Sequence, residues 1–423
     1  MARPKNISKL LLGTSLALFF SLSTYSQGFN DFYDSFFGAL DILPSENIGR
    51  TTFPILSTPS GGRREALGTA FTALADNSTY IESNPAGSAI LDFTELSIFH
   101  NNLIADVSVE SLVFTLRQRD LGLGIGLKFL HLPFTSYGSR GEQLASAVYS
   151  EGVVTINGSY NLFSNFYFGG LSLGVNVKLG YRSIPATLYR EVTGLEGVDQ
   201  SAIGFIADLG MLTRFNFLKG YTARDKNFSL GAALLNVGPL VKNEALPTRF
   251  TFGIGYRPLR FIQISGDFIL PIRFDDPSES ESPGFSVGLG IQTTPFLAIQ
   301  TGFLLIGGNP RLTLGTEILL DVFSLNVNYT LDRTTQIGKI DRFSFQLGLN
   351  LGDGGRLTLR QRVDALYLQA LRSLADSNFT EVIALCEQTL DLDPGFTPAI
   401  ETLKTARESY ELEQELERLR RDN

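Results

Sequence analysis

The stretch Leu171-Ser-Leu-Gly-Val-Asn-Val-Lys-Leu-Gly-Tyr-Arg182 alternates between large apolar residues and polar or small ones. Successive side chains of an extended chain point to opposite sides, so Val175 and Val177 share one face and Asn176 lies on the other. The stretch therefore predicts a β-strand with one apolar face and one polar face.

The same alternation recurs from Thr94 to Gly352. It gives about 14 segments of roughly 10 to 17 residues, longer than the usual 5 or 6 of soluble strands. The segments start near residues 94, 109, 121, 146, 166, 201, 226, 248, 261, 283, 296, 311, 322 and 341. A soluble sandwich and a membrane barrel both show such alternation, but strands of this length match those that cross a bilayer at a tilt.

The connections between the segments also favour a membrane barrel. Long polar connections follow odd-numbered segments, at residues 134–145, 183–200 and 274–282, whereas most connections after even-numbered segments are tight. An even number of strands with long loops on one rim is typical of bacterial outer-membrane barrels. We therefore predict an all-β fold, a transmembrane antiparallel barrel of residues 93–353.

The first residues resemble a secretion signal. Arg3, Lys5 and Lys9 precede an apolar run of about 13 residues, which is too short to span a bilayer as a helix. We expect a cleaved signal peptide at residues 1–26 and export to the outer membrane of a diderm bacterium. Residues 29–40 place aromatic side chains on one helical face, which suits either packing at the barrel mouth or lying in the membrane interface.

After residue 355 the apolar period becomes helical, and three helices are expected in a tail at residues 356–423. The tail resembles about one tetratricopeptide repeat, fewer than the three or more that are stable alone. It either rests on the barrel rim or docks a periplasmic protein. An even strand count places both chain ends on the side of the short turns, which is periplasmic.

Composition and residue spacing exclude several functions. The net charge of -8 argues against a nucleic-acid surface. Cys386 has no partner for an internal disulfide, and the chain has no cluster of His or Cys at metal-ligand spacing. His100 and His131 lie on different strands, which gives little support for a Ser-His hydrolase. We predict no enzyme activity, no cofactor and no metal.

Residues 27–92 precede the first strand, where a segment that plugs the lumen would lie. Within them the pattern R-x-A-x-G-x-A-x-x-A-x-A-D, followed after a short gap by N-P-A-G, resembles the amino-terminal hatch of FadL-like long-chain fatty acid transporters. The combination with a helical tail resembles the spirochaete members of that family. The matching hatch positions are Arg64, Gly68, Asp76, Asn84, Pro85, Ala86 and Gly87.

The resemblance implies uptake of fatty acids or other hydrophobic molecules through a barrel whose hatch rearranges. It implies that Asn84, Pro85 and Ala86 form a gating turn, although the same residues would also serve simply to lead the chain into the first strand. In the family a kink in the third strand opens a gap in the wall, and Pro133 is the matching candidate here.

Four cations on polar strand faces are candidates for binding a carboxylate head group, namely Lys128, Lys178, Arg182 and Arg257. Pairing with lumen acids such as Asp267 or Glu317 is the competing interpretation. The function also has two interpretations. The first is a transporter for hydrophobic molecules, and the second is a barrel scaffold that serves a secretion or surface-attachment assembly through its tail.

Overall fold

The computed structural model describes residues 51–103, 107–137, 140–184, 200–307, 309–332 and 340–421. Its strands form one closed antiparallel barrel in which each strand pairs with its sequence neighbours and β1 pairs with β14. The strands are β1 Glu95–Asn102, β2 Ser108–Gln118, β3 Leu121–Tyr137, β4 Gln143–Leu162, β5 Phe168–Ser183, β6 Ala202–Phe215, β7 Phe228–Val237, β8 Arg249–Leu259, β9 Ile262–Pro271, β10 Gly284–Thr294, β11 Leu297–Ile306, β12 Asn309–Leu319, β13 Phe323–Asp332 and β14 Ile340–Asn350. The prediction of a 14-stranded barrel is confirmed.

The two rims of the barrel differ. β1 begins and β14 ends at the same rim, which we call the tail rim because the chain continues from it into the helical tail. Connections after odd-numbered strands lie at the opposite rim, which we call the loop rim. Because each strand pairs with a neighbour on both sides, the closed wall has no free edge strand.

The outward face of the barrel is apolar, as the alternation predicts. Val175 and Val177 of β5 are 44% and 60% exposed, whereas Asn176 between them is fully buried. The same holds for β3, where Leu123, Ile125 and their outward neighbours are exposed. A soluble sandwich would bury these side chains, so the barrel is turned inside out, with its apolar surface toward lipid.

Aromatic side chains collect on the outward face near the tail rim. Phe228 packs against Phe215 with ring centroids 5.0 Å apart, and against Tyr256 at 5.9 Å. Phe217 extends the same cluster. Of these rings only Tyr256 has a polar end, and its hydroxyl donates to the carbonyl of Leu218, which suits a position at the membrane interface near the tail rim.

Two connections differ from the sequence prediction. Residues 134–145 were expected to be a loop, but β3 continues to Tyr137 and β4 begins at Gln143, so only residues 138–142 connect them. Alternating polar residues in a protruding hairpin resemble loop composition, which explains the error. The connection between β6 and β7, residues 216–227, is long although it lies at the tail rim.

The tail contains three helices, as predicted. They are α2 Arg356–Ala375, α3 Phe379–Leu392 and α4 Thr397–Arg421, and they follow the short plug helix α1, Gly62–Ala66. Val363, Val382 and Cys386 are buried together between the tail helices. None of the helices in the described part of the chain is long and apolar enough to cross a bilayer.

The tail is fixed to the tail rim through the β6–β7 connection. The guanidinium of Arg224 pairs with Asp364 of α2 and with Asp393 after α3, each at 3.0 Å. It also lies 4.9 Å from the ring centroid of Phe396 and 5.6 Å from that of Phe166 in the β4–β5 turn. The two rings meet edge to face at 5.1 Å. One arginine thus joins two tail helices to two barrel turns.

Cations crowd this junction. Burial, together with nearby Lys219 and Arg224, lowers the pKa of Lys226 to about 8. A lysine whose pKa is lower when docked costs stability while it is protonated, so the junction should tighten as pH rises from about 8 toward the ordinary lysine value near 10.4. The carboxylates that bind Arg224 offset this repulsion.

The lipid-facing assignment makes a quantitative prediction for Val177→Arg. A cation on the outward face near the bilayer centre should lower the free energy of unfolding by about 2–4 kcal/mol, because arginine must leave water. The measurement is urea unfolding of the barrel refolded into lipid vesicles. Gln118→Arg, on the outward face at the tail rim, is the matched control and should cost about 0–1 kcal/mol. Equal costs at the two positions would contradict the assignment.

Candidate functional site in the barrel lumen

Residues 51–92 lie inside the barrel as a compact, mostly irregular segment, which we call the plug. It comprises α1 and short 310 turns at Pro54–Leu56, Ser78–Glu82 and Pro85–Ile90. α1 contacts β11 to β14, and the last 310 turn contacts β2 to β6, so the plug spans the lumen. Residues 1–50 are outside the described residues, and so are the expected signal peptide and the aromatic segment at 29–40.

Glycines let the plug backbone touch the wall. Gly68 adopts a left-handed φ of +62°, and a Cβ at this position would lie 2.6 Å from the backbone nitrogen of Phe303. A Cβ on the facing Gly302 of β11 would lie 1.9 Å from the nitrogen of Gly68. Neither position tolerates a side chain, because backbone atoms occupy the space on both sides.

The wall holds the plug mainly through hydrogen bonds to plug backbone. Asp267 accepts from the backbone amides of Phe71 and Thr72 at 3.0 and 2.9 Å. Asparagine side chains of the wall donate hydrogen bonds to plug carbonyls. Asn157 donates to Pro85 at 2.9 Å, Asn176 to Ile81 at 3.0 Å and Asn328 to Gly62 at 2.8 Å. An irregular segment leaves many backbone groups unpaired, and the polar inward side chains satisfy them.

Two ion-pair networks fix the plug on either side of α1. On one side, Asp76 binds Arg63 at 3.0 Å and Arg257 of β8 at 2.9 Å. On the other, Glu82 binds Arg64 at 3.1 Å and Lys128 of β3 at 2.7 Å. Consecutive arginines of α1 therefore point in opposite directions along the barrel axis.

The sequence-predicted hatch residues all lie in the plug. Asn84 caps the last 310 turn by accepting from the amide of Ala86 at 3.1 Å, and its side-chain amide donates to the carbonyls of Thr72 and Met211 at 2.8 and 2.9 Å. Pro85 and Ala86 form the turn that packs against Gly174 of β5, and Gly87 lies against Tyr80. Arg64 and Asp76 form the ion pairs above, and Gly68 is the close contact to β11.

The four predicted head-group cations each have a carboxylate partner. The pairs are Lys128 with Glu82 at 2.7 Å, Lys178 with Asp208 at 2.7 Å, Arg182 with Glu244 at 2.5 Å and Arg257 with Asp76 at 2.9 Å. Pairing with lumen acids is therefore observed, but not with the two acids named from the sequence. Asp267 accepts from plug amides, and Glu317 lies 3.9 Å from Arg63 of the plug. The pairs of Lys128 and Arg257 hold the plug, those of Lys178 and Arg182 lie within the wall and its connections, and cations neutralised in this way are poor sites for an added anion.

The plug divides the lumen into two cavities of about 380 Å³ each. The loop-side cavity is lined by Arg64 and Thr72 of the plug and reaches Pro247 and Ile272 at the loop rim. The tail-side cavity begins at Arg63 and Asp76 and reaches the tail rim. The lumen is therefore neither filled by side chains nor crossed by one continuous apolar pocket.

One cation in the loop-side cavity differs from the rest. Arg249 is at the start of β8, where its side chain points inward and lines the cavity. No carboxylate among the described residues lies within 4.0 Å of its guanidinium, and its side chain forms no hydrogen bond within that part of the chain. Apolar side chains, including Leu235, Leu246 and Ile269, line the same cavity.

At Pro133, β3 stays paired with β4 but not with β2. The register between β3 and β4 passes through the pair Pro133↔Val148 without a shift. The pairing of β3 with β2 ends two residues earlier, at Ser108↔His131, so Pro133 lies where β3 leaves β2 and protrudes with β4. A kink that opens the wall at Pro133 stays a prediction.

Several residues of the site escaped the sequence analysis. Glu82, which binds two cations, lies in irregular structure where no period marks its direction. Asn176 occupies an inward position that the two-residue period identified, Asn157 occupies an inward position of β4, and the polarity of both was the available signal. Arg249 was missed because it stands at the first residue of a strand, where a loop position is equally compatible with the sequence.

The remaining chemistry of the described residues is sparse. They contain no group of three or more His, Cys, Asp or Glu side chains that could hold a metal ion. The Nδ1 atom of His100 lies 2.6 Å from a carboxylate oxygen of Glu110 on the outward face. No serine hydroxyl in the described ranges joins this pair, so it lacks the nucleophile of a hydrolase triad.

A closed barrel with an apolar exterior and a polar lumen divided by an internal segment defines the class, a plugged transmembrane β-barrel. The chain belongs to the family described as "Uncharacterised protein family (UPF0164)", which it matches over residues 39–353. That match ends at the barrel and does not include the helical tail. Two UPF0164 proteins of Treponema pallidum (strain Nichols) are similar to it. One is 29% identical, covering 87% of this chain and 85% of the relative, and another is 23% identical, covering 88% and 78%.

Among solved structures, the barrel is similar to the Pseudomonas putida toluene transporter TodX, at 14% identity and a TM-score of 0.49. That match covers 67% of this chain and 96% of TodX. The Ralstonia pickettii toluene transporter TbuX is 14% identical with a TM-score of 0.46, covering 68% and 97%.

The carboxylate of Asp267 should hold the plug in its place in the lumen. In Asp267→Ala, two buried amides lose their acceptor at about 1–3 kcal/mol each, so the fraction of barrels with a displaced plug should rise by about tenfold or more. Single-channel recording in planar bilayers measures this as more frequent openings. Asp321→Ala, in an exposed turn at the tail rim, is the control and should behave as wild type. Unchanged conductance in a folded Asp267→Ala barrel would show that the plug does not depend on this tether.

Proposed function

We propose that the protein is an outer-membrane channel for uptake of hydrophobic small molecules, with long-chain fatty acids as the ligand class and the plug as the gate. The loop rim then faces the cell surface and the tail rim faces the periplasm, as in barrels whose longer loops are extracellular. The similarity of the plug motif to the FadL-type hatch supports the same proposal.

The observation that carries the proposal is the divided lumen. Space for a ligand exists on both sides of the plug, and the 380 Å³ of each cavity falls in the range of small-molecule sites. The barrier between the cavities consists of α1 and its ion pairs. Because hydrogen bonds and ion pairs hold it, the barrier can rearrange without opening the barrel wall.

The chemistry of the loop-side cavity supports an amphipathic ligand with an acidic head. A carboxylate beside Arg249 would gain charge-assisted hydrogen bonds without displacing an internal partner. The acyl chain would lie against Leu246 and Ile269. Of the four cations proposed from sequence, Lys128 and Arg257 stay candidates for a state in which the plug has moved, because their partners Glu82 and Asp76 belong to the plug. The partners of Lys178 and Arg182 lie outside the plug, so these two cations would need a ligand that displaces Asp208 or Glu244.

Binding of fluorescent oleate analogues to the refolded full chain tests the proposal. Wild type should bind saturably, and Arg249→Ala should weaken binding about tenfold, because a hydrogen bond to a charged group contributes roughly 1.5–3 kcal/mol. Arg260→Ala, in the tail-side cavity, should bind as wild type. The equivalent alcohol, which lacks the carboxylate, should be insensitive to Arg249→Ala. Absence of saturable binding to wild type would contradict the transporter proposal.

A second candidate function is a barrel scaffold that presents the tail to a periplasmic partner. The contacts of Arg224 with Asp364 and Asp393 of the tail and with Phe166 in the β4–β5 turn support it, because they fix the tail in one position. A free tether would need no such contacts. In this alternative, the lumen cavities have no ligand and the tail surface carries the function.

Arg224→Ala tests how the tail is held. The substitution removes two ion pairs and two ring contacts, and at the partly buried site we expect a loss of about 1–3 kcal/mol of docking free energy. Limited trypsin digestion of the folded barrel should then release the tail several times faster. Arg372→Ala, on an exposed turn of α2, is the control. Equal digestion rates would show that other contacts hold the tail.

A further inference from the structure

The outward face of β1 to β5 carries a groove of about 430 Å³ that belongs to neither lumen cavity. Two rows of residues that run across neighbouring strands form it, a lower row nearer the tail rim and an upper row nearer the loop rim. The lower row is Ile98, Leu112, Leu127, Val154 and Leu179, and the upper row is Glu110, Phe129, Gly152 and Tyr181. Each residue in a row is the direct cross-strand partner of the next.

Gly152 makes the groove. Its cross-strand partners are Phe129 on β3 and Tyr181 on β5, both outward and about half exposed. The absence of a side chain between two aromatic rings leaves a slot that runs down β4 toward Val154. In the bilayer this slot opens to acyl chains, so the surrounding medium itself supplies an occupant.

Charge selects the kind of lipid. Glu110, whose side chain is half exposed, borders the groove two strand spacings from Gly152, or about 10 Å. The adjacent Lys128 gives no positive charge to this face, because its ammonium pairs with Glu82 inside the barrel. His100 on the same face contacts one oxygen of this half-exposed carboxylate through Nδ1 at 2.6 Å, and an ammonium head group would bind the other oxygen, whereas an anionic head group would be repelled.

The groove lies close to the loop-side edge of the apolar belt, where a lipid head group would be. The next outward row toward the loop rim is polar and contains Ser108, His131 and Ser150. It marks the upper edge of the apolar belt, so Glu110 lies one row below that edge. There, an ammonium group reaches the carboxylate while its acyl chain descends along the slot.

We propose that this groove binds one membrane lipid with an ammonium head group, its acyl chain over Gly152 and its head group beside Glu110. The proposal is independent of transport, since it concerns the lipid-facing surface and uses no lumen residue. It would stand equally for a channel or for a scaffold.

Native mass spectrometry tests the proposal on the full chain reconstituted in vesicles of phosphatidylethanolamine and phosphatidylglycerol, then released in mild detergent. Wild type should retain one phosphatidylethanolamine in excess over its share of the bilayer. Gly152→Leu should lower that retention about tenfold, the contribution of roughly two buried methylene groups. A Cβ at Gly152 would have no neighbour closer than 3.9 Å, so the variant should fold.

Gly158→Leu is the matched control, because Gly158 is outward on the same strand and a Cβ there meets nothing within 4 Å. It should retain lipid as wild type does. Glu110→Gln should keep a bound lipid but lose the preference for phosphatidylethanolamine. Retention by Gly152→Leu equal to wild type, equal loss in both glycine variants, or bound lipid that matches the bulk composition would each overturn the proposal. Heat-modified migration in gels confirms that each variant is folded.

Discussion

The structure depends on one constraint, that no backbone amide or carbonyl can face hydrocarbon without a hydrogen-bond partner. Closure of β1 onto β14 meets this constraint for the wall, since it removes the last sheet edge. The apolar face is then free to meet lipid, and the polar face must turn inward. A polar lumen, buried ion pairs and a plug are consequences of that inversion.

The inverted interior explains how the plug is held. A soluble core would pack an inserted segment through apolar side chains, whereas this lumen offers carboxylates and amides. The plug has an irregular backbone with amides and carbonyls that need partners, and the polar lumen side chains provide them. Asp267, for example, accepts hydrogen bonds from two consecutive plug amides. Apolar contacts are confined to local clusters such as the one around Phe53 and Ile55 near the loop rim. These hydrogen bonds fix the position of the plug, and they can be exchanged for others without loss of a packed apolar core.

The exterior follows the same constraint with a different outcome. Lipid imposes apolar character on outward positions but no particular shape, so outward residues vary in size, and glycines such as Gly152 leave hollows. His100 and Glu110 are polar residues on the otherwise apolar outward face. They lie one row below the loop-side edge of the apolar belt, where the membrane interface tolerates charge. The tail lies beyond the bilayer and uses ordinary surface chemistry, with Arg224 bridging carboxylates and aromatic rings.

The sequence by itself determined the barrel, its strands and the direction of each strand side chain, because a two-residue period is a local property that survives without tertiary information. It also placed Arg64, Asp76 and Asn84 in the plug by resemblance. Only the tertiary structure decided which charges are neutralised. Lys128 and Arg249 look alike in sequence, but the plug brings Glu82 to the first and no described carboxylate to the second. Such pairing depends on contacts between residues far apart in the chain, and no local period records them.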